Sequence, residues 1–283
     1  ERGPLGRSPV RGRPLRGQRA WRMLAATGRA IISKSAVTGR AILLLVHGLL
    51  ALRHVHRSIP QVIRHLDMAG YGSILVLSLI AGLTGMIMAV QTGSELQRFG
   101  VLDNLGAIIG ATFCREMGPI WAAVIVLARV GASMAAELGT MAVNEEVDAL
   151  RVMSIDPVRF LVMPRLLALM IVMPLLTTIA DAVGIAGGAL IAQSLFGQPI
   201  QVFMDSAQGL LQGLDFYSGL AKSWVFALII GAIACDQGLA TQNGAEGVGR
   251  STTTTVVLSV VFVLLADLIM TSFVQVVIKT LVT

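Results

Sequence analysis

The chain has 283 residues, of which 55% are hydrophobic and only 13% charged, and its mean hydropathy is +0.78. Ordinary soluble domains carry about 25% charged residues, so the composition excludes such a domain and predicts an all-α, polytopic membrane protein. The net charge of +6 does not indicate nucleic-acid binding, because thirteen of the 22 Lys and Arg residues precede residue 66, where Glu1 is the single acid. This asymmetry favours a basic arm beside the membrane, on its cytoplasmic side.

The amino-terminal region divides into two parts. Residues 1–20 are rich in Arg, Gly and Pro, which predicts a basic, disordered arm. Residues 21–66 have an amphipathic helical pattern. Their apolar run, 41–52, is flanked by arginines and is shorter than the roughly 20 residues that a span requires. We therefore expect an amphipathic helix lying in the membrane interface, followed by a membrane domain at 67–283.

Five later stretches are long and apolar enough to span a membrane. They lie at about 71–92, 105–136, 166–195, 217–240 and 254–278. An odd number of spans puts the two termini on opposite sides. Because basic residues concentrate on the cytoplasmic side, we expect the amino terminus inside the cell and the carboxyl terminus on the outer, periplasmic side.

The segment 137–165 is the most charged internal part of the chain, with five acids and three arginines. Its middle, 143–153, has helix-forming composition, with Asn144 as the expected N-cap and Asp156-Pro157 as the expected stop. Val143, Val147 and Leu150 share one apolar face, from which Glu145, Asp148 and Arg151 point away. A short charged helix between two spans should lie flat in the cytoplasm and present a face to a partner.

Two adjacent charges, Arg115 and Glu116, fall inside the second span. A charge at bilayer depth costs roughly 2.5–3.5 kcal/mol on insertion scales, so it faces a partner, a cavity or a functional path. Gly118-Pro119 follows and should loosen the helix and free backbone carbonyls. Each charge then either finds a partner on a neighbouring span or lines a substrate cavity, which Gln91 near the end of the first span would share.

Catalytic and metal-binding patterns are missing from the sequence. There is no G-x-x-x-x-G-K-[ST] phosphate loop and no metal-ligand cluster, and Cys114 and Cys235 do not predict a disulfide framework. We expect no enzymatic activity and no cofactor in this chain; if transport uses ATP with Mg²⁺, another subunit hydrolyses it.

The sequence resembles the MlaE (YrbE) family of ABC transporter permeases at several motifs. They are Arg115-Glu-Met-Gly-Pro119, Arg129-Val-Gly-Ala-Ser133, Glu137-Leu-Gly-Thr-Met141, Asn144-Glu-Glu-Val-Asp-Ala-Leu150, Asp156-Pro-Val-Arg-Phe160 and Gly247-Val-Gly-Arg-Ser251. The resemblance covers about residues 65–278. It implies a homodimeric permease of the inner membrane that moves phospholipid between inner and outer membranes.

The resemblance also implies partners and roles. The partners are a cytoplasmic MlaF-like ATPase, a possible MlaB-like STAS-domain protein and a periplasmic MlaD-like hexamer of MCE domains. Docking on the ATPase is assigned to Glu145, Glu146, Asp148, Leu150 and Arg151, and lining of the lipid cavity at the dimer interface to Gln91, Arg115 and Glu116.

Two other functions stay open at this point. An ion-coupled secondary transporter would use the intramembrane Asp181 and Asp267, unless these residues simply pair with Lys222 or Arg250. A membrane scaffold would anchor a periplasmic protein and transport nothing. Dependence of transport on an ATPase separates the permease from the ion-coupled transporter, and bound lipid would argue against the scaffold.

Overall fold

The computed structural model describes residues 59–210 and 213–282, together with position 39. The chain divides into two compact units, Glu1–Arg40 and Ala41–Thr283, and every helix described below lies in the second. The predicted arm at 1–20, and the predicted interfacial region up to residue 58, lie outside the described residues.

Seven helices account for nearly all of the described chain, in which no strand occurs. They are α1 (Ile59–Arg98), α2 (Leu102–Val143), α3 (Glu146–Val152), α4 (Val158–Phe196), α5 (Ile200–Leu210), α6 (Gly213–Leu239) and α7 (Gly244–Val282). Five of them, α1, α2, α4, α6 and α7, are long and apolar enough to cross a membrane. The predicted all-α fold with five spans is confirmed, although α1 already begins at Ile59.

The two short helices mark opposite ends of the bundle. The helix α3 follows the end of α2, whereas α5 packs beside the start of α2, where the Ala107 amide donates to Ser206 Oγ at 3.0 Å. We call these the α3 end and the α5 end. Because successive spans run in opposite directions, α1 and α4 begin at the α3 end, and α6 begins at the α5 end.

The helices α1 and α4 form the most extensive helix pair of the bundle, and small residues bring them together. A Cβ on Gly85 would overlap the carbonyl oxygen of Gly184, and one on Gly187 would overlap that of Gly82. In a membrane, where lipid is as apolar as the helices, such close backbone contact is a main source of helix association. A larger side chain at these positions would force α1 away from α4.

The helix α7 is the least covered of the five spans. It packs on α6 and on the last part of α2. Only 11% of the residues in its most apolar stretch are buried, against 61% in α6. Its uncovered face is strongly apolar and includes Leu264, Leu265, Leu268 and Phe273. This face can therefore lie only against lipid or against another protein surface.

The charged helix is shorter than the sequence predicts, and its expected cap is wrong. Val143 ends α2, and Asn144 closes that helix by donating its amide hydrogen to the Thr140 carbonyl at 3.0 Å. The chain reverses at Glu145, whose φ of 61° is left-handed, and α3 begins only at Glu146. Because Asn144 still has a near-helical backbone, its side chain does not cap α3.

The end of α3 also differs from the prediction. The helix ends at Val152, and Ser154 follows with a left-handed φ of 60°. Asp156 lies beyond it, where Oδ1 accepts a hydrogen bond from the Val158 amide at 3.0 Å. The Asp156-Pro157 pair therefore shapes the start of α4, since the chain has already left α3.

Candidate functional site

The candidate site begins at an irregular turn in the middle of α2. Residues Phe113–Met117 form a π-helical turn, closed by the Gly118 amide donating to the Phe113 carbonyl. Pro119 follows and has no N–H to donate to the carbonyl of Arg115, four residues earlier. Lys222 Nζ donates to that carbonyl instead, at 3.0 Å. The expectation that Gly118-Pro119 frees a carbonyl is confirmed, and the freed oxygen is a ligand of a buried lysine.

A glycine on α6 brings that lysine close enough. A Cβ on Gly219 would overlap the Cys114 carbonyl oxygen, so α6 touches the backbone of α2 at this point. Asp215 and Lys222 lie about one helical turn on either side of Gly219 and share its face. The contact therefore places one carboxylate, Asp215, and one ammonium group, Lys222, beside the π-helical turn.

Lys222 is the centre of the resulting network. Its side chain is only 2% exposed, and Nζ lies 2.7 Å from Glu116 Oε2 and 2.8 Å from Asp267 Oδ1. It also donates to Thr271 Oγ1 at 2.7 Å, and the Thr271 hydroxyl donates to Glu116 Oε1 at 2.9 Å. One ammonium group thus ties α2 and α6 to α7.

Arg115 forms the outer edge of the network. Its Nε donates to Asp215 Oδ1 at 2.7 Å and its Nη2 to Asp215 Oδ2 at 3.0 Å. Such a two-point pair fixes the plane of the guanidinium group. Asp215 is 2% exposed, whereas Arg115 is 44% exposed. Within the described part of the chain, no acceptor contacts Arg115 Nη1. The guanidinium group is therefore fixed in orientation by Asp215 but still has a free donor on its exposed side.

We call this set the Lys222 cluster. It consists of Arg115, Glu116, Asp215, Lys222, Asp267 and Thr271. It contains three carboxyl groups and two cations, and its groups are largely withdrawn from water, where an unpaired charge is very costly. The adjoining cavity measures about 30 Å³, which is close to the volume of one water molecule. One chain by itself therefore leaves no room here for a large ligand.

The structure brings together two of the three predicted cavity residues. Arg115 and Glu116 both line the small cavity, and each has a partner on a neighbouring helix. Gln91 lies exposed on α1 and does not line it. Sequence reasoning missed Asp215, which it placed in a connection, and Thr271. The available signal was the spacing of Asp215, Gly219 and Lys222 on one face of α6.

The predicted docking residues surround α3 at the other end of the bundle. Val147 is buried and Leu150 half-buried, which anchors the helix, while Glu145, Glu146, Asp148 and Arg151 are exposed. Arg151 Nη1 donates to Asp148 Oδ1 at 2.8 Å within the helix. The charged face is thus open to a partner, as predicted, and its role in docking stays a prediction.

Comparison with known proteins now decides the family. Residues 62–273 match the model of the family described as permease MlaE. The chain belongs to the MlaE permease family. This confirms the resemblance drawn from the motifs, and it makes the chain a multi-pass membrane permease.

Similar proteins in plastids and bacteria support the assignment to a permease family. The chain is 36% identical over 242 residues to the protein trigalactosyldiacylglycerol 1, chloroplastic, of Arabidopsis thaliana, covering 86% of this chain and 67% of that protein. It is 35% identical over 237 residues to a probable ABC transporter permease protein of Synechocystis, covering 84% and 88%. A probable ABC transporter permease protein of Rickettsia prowazekii is 38% identical over 210 residues, covering 74% and 81%. An ABC permease is a membrane subunit that implies a separate ATPase.

The two aspartates of the ion-coupled alternative have different surroundings in this MlaE-family chain. Asp267 pairs with Lys222, as the alternative pairing predicted. Asp181 is buried on α4 against Gly118, and its Oδ1 has no hydrogen-bond partner among the described residues. The two carboxyl groups thus belong to separate environments.

Proposed function

We propose that this chain is the membrane subunit of an ABC-type transporter that moves phospholipid between the inner and outer membranes. It works as a homodimer and has no enzymatic activity of its own. The observation that carries the proposal is the half-exposed Arg115 guanidinium, held in a membrane span by the buried Asp215. The name of the Arabidopsis relative refers to trigalactosyldiacylglycerol, a lipid, which supports a lipid as cargo.

The chemistry of Arg115 suits a phospholipid phosphate. Arg–phosphate hydrogen bonds are charge-assisted and therefore among the strong ones. Asp215 already fixes the orientation of the guanidinium, so little entropy is lost when a phosphate oxygen meets Nη1. The uncovered aliphatic face of α7 lies beside the cluster and suits acyl chains. A few polar groups against an apolar wall are typical of ligand sites.

A second copy of the chain would complete the cavity. The space beside the Lys222 cluster measures only about 30 Å³ in one chain, whereas ligand cavities usually measure about 300–1,000 Å³. The apolar face of α7 beside it is uncovered, as expected of a surface that meets its own copy around a two-fold axis. In such a dimer the exposed Gln91 would line the shared cavity.

The charged face of α3 would receive the ATPase. Its acids and Arg151 are exposed on a short helix anchored by Val147, so a push on α3 reaches α2 and α4 directly. The excess of basic residues at the amino terminus supports an orientation with the α3 end in the cytoplasm and the carboxyl terminus in the periplasm. ATP and Mg²⁺ would bind the MlaF-like partner, with an MlaB-like protein beside it and an MlaD-like hexamer on the periplasmic side.

Co-purification followed by a transport assay tests the proposal. The tagged chain is purified from the membranes of its own organism, and bound subunits and lipids are identified by mass spectrometry. We expect an ATPase and phospholipid, with less phospholipid bound by Arg115→Gln than by the unaltered chain. The matched control is Arg98→Gln, which removes an exposed arginine near the same end of the bundle that pairs with Glu95. Full phospholipid content in Arg115→Gln, or purification without any ATPase, would contradict the proposal.

The buried, unpartnered Asp181 Oδ1 favours one competing function, coupling to an ion gradient through Asp181 and Asp267. Lipid transport by the purified complex in vesicles distinguishes the ABC permease from the ion-coupled transporter. If transport requires ATP and continues after the proton and sodium gradients are dissipated, the permease function holds. Transport that stops with the gradient and continues without ATP would favour the alternative.

A further inference from the structure

A second polar cleft lies at the α3 end, between the start of α1, the end of α2 and the start of α4. Its volume is about 340 Å³, which is within the usual range of about 300–1,000 Å³ for ligand sites. It is lined by Gln61, Arg64, His65, Met68, Glu137, Met141, Phe160, Leu161 and Arg165. None of these residues belongs to the Lys222 cluster.

One wall of the cleft holds a buried arginine with an unused donor. The side chain of Arg165 is only 9% exposed. Its Nη2 donates to Glu137 Oε2 at 3.2 Å and its Nη1 to the Leu161 carbonyl at 2.8 Å. Its Nε is buried, and no described residue accepts its hydrogen. This nitrogen is shielded from the cleft. Because a buried donor on a charged group is costly to leave without a hydrogen bond, a turn of the guanidinium towards an acceptor in the cleft would be favourable.

The lining combines positive charge with apolar surface. Arg64 and Arg165 supply two positive charges and Glu137 one negative, so the cleft has an excess of positive charge that favours an anion. Met68, Met141 and Phe160 form an aliphatic and aromatic wall, and Phe160 is 43% exposed. The ligand that matches both is an amphiphile with an anionic head.

The position of the cleft also fits a membrane lipid. It lies at the α3 end, where α1 and α4 begin and α2 ends. Along α2, the distance from Arg115 to Glu137 is roughly 33 Å at about 1.5 Å per residue. The hydrocarbon core of a bilayer is about 30 Å thick, so this separation is large enough for the cleft and the Lys222 cluster to face opposite leaflets.

We propose that this cleft binds a phospholipid of the leaflet at the α3 end through its phosphate. A phosphate oxygen accepts a hydrogen bond from the Arg165 guanidinium, which turns towards the cleft when the lipid binds. Arg64 adds a second positive charge, and the acyl chains lie along Met68 and Phe160. A narrower space of about 10 Å³ continues from the cleft between the helices. It is no larger than one water molecule, so the headgroup occupies the main cleft. The site lies next to α3, and its binding of phospholipid does not depend on which lipid the permease transports.

Binding to the purified full-length chain tests the site. The protein is delipidated, and binding of a short-chain phosphatidylglycerol is measured by native mass spectrometry, with every variant made in an Arg115→Gln background. This background removes Arg115, the lipid-binding arginine of the Lys222 cluster. The result therefore reports on the second cleft alone, whether or not the proposed transport function is correct. We expect Arg64→Gln and Arg165→Gln each to weaken binding about tenfold. Diacylglycerol, which has no phosphate, should not distinguish the variants, and inorganic phosphate alone should not displace the lipid.

The matched control is Arg159→Gln, which removes a nearby arginine at the start of α4 that pairs with Asp156 and does not line the cleft. It should bind phosphatidylglycerol normally. If Arg64→Gln and Arg165→Gln also bind normally, the proposal is wrong.

A second measurement remains decisive if Arg165→Gln does not fold. A photo-reactive amino acid at Met141 should cross-link phospholipid in nanodiscs, and the same group at Val152, exposed on α3, should cross-link several-fold less. Cross-linking of Met141 to a peptide from before residue 59 would show that the chain itself fills the cleft. That result, or a cleft that holds only water, would overturn the proposal.

Discussion

The Lys222 cluster and the charged face of α3 contain ion pairs of nearly the same length in opposite surroundings. Arg115 Nε lies 2.7 Å from Asp215, and Arg151 Nη1 lies 2.8 Å from Asp148. Asp215 is 2% exposed, whereas both partners on α3 are 66% exposed. Water screens the exposed pair and solvates each partner when the pair opens, so distance alone says little about strength.

The two regions also differ in what they connect. Arg151 and Asp148 are three residues apart and stabilise only their own helical turn. Lys222 joins α6 to Glu116 of α2 and to Asp267 of α7. The buried region therefore fixes how three spans sit together, while the exposed one leaves its charges available to a partner. Four variants test this difference, in order of decreasing loss of stability.

Replacing Lys222 by Met should have the largest effect. It leaves Glu116 and Asp267 without their cation, and breaking a buried pair in this way costs about 3–5 kcal/mol. Thermal unfolding of the purified protein in detergent measures the loss. Arg151→Met is the control at the exposed pair. Equal melting temperatures for the two variants would show that burial does not strengthen the cluster.

Asp215→Asn should have an intermediate effect. It removes the charge that holds the Arg115 guanidinium, at a cost of about 1–3 kcal/mol. Because the two residues form one pair, adding Arg115→Gln should cost less than the sum of the single losses. A double-mutant cycle on the free energy of unfolding measures this coupling. Strict additivity would mean that the observed bidentate contact contributes nothing.

Charge reversal at Asp148 should change stability little. The exposed pair with Arg151 contributes about 0.2–1 kcal/mol. The free energy of unfolding of Asp148→Arg should therefore lie within about 1 kcal/mol of that of the unaltered protein. If α3 docks on the ATPase, the same variant, like Glu145→Arg, loses ATP-dependent lipid transport. Stability and transport are measured on one preparation. Full transport by both variants would argue against docking at α3.

Glu145→Gly should give a small gain in stability, whereas the other three variants should not. The left-handed backbone of Glu145 costs a non-glycine residue roughly 1–2 kcal/mol. Glycine relieves this cost but adds about 0.4–1 kcal/mol of entropy to the unfolded chain. The net gain is therefore between about 0 and 1.6 kcal/mol. The neighbouring Glu146→Gly, inside α3, should instead lose about 1 kcal/mol. A loss for both would mean that the turn does not require a left-handed residue.

Hydrophobic length was enough to predict the five spans, because crossing hydrocarbon requires about 20 apolar residues whatever their neighbours are. The proline at 119 was enough to predict a freed carbonyl, since the missing N–H is a property of the residue itself. The turn at Glu145 was not predictable in this way. Asn144 is a good cap by composition, but the chain had to reverse there to bring α3 back onto the bundle, and that displaced the start of α3.

The sequence by itself determined the fold class, the number of spans, the family motifs and the position of charges inside the membrane. Only the tertiary structure decided which groups meet: Arg115 with Asp215, and Glu116 with Lys222 and Thr271, across more than 90 positions of chain. The pattern of apolar residues along a segment predicts which face of one helix is buried. Which residues of two different helices meet depends on how each helix is rotated about its axis and how closely the two helices approach each other. Here Gly219 sets that approach, because its missing side chain lets α6 touch the backbone of α2.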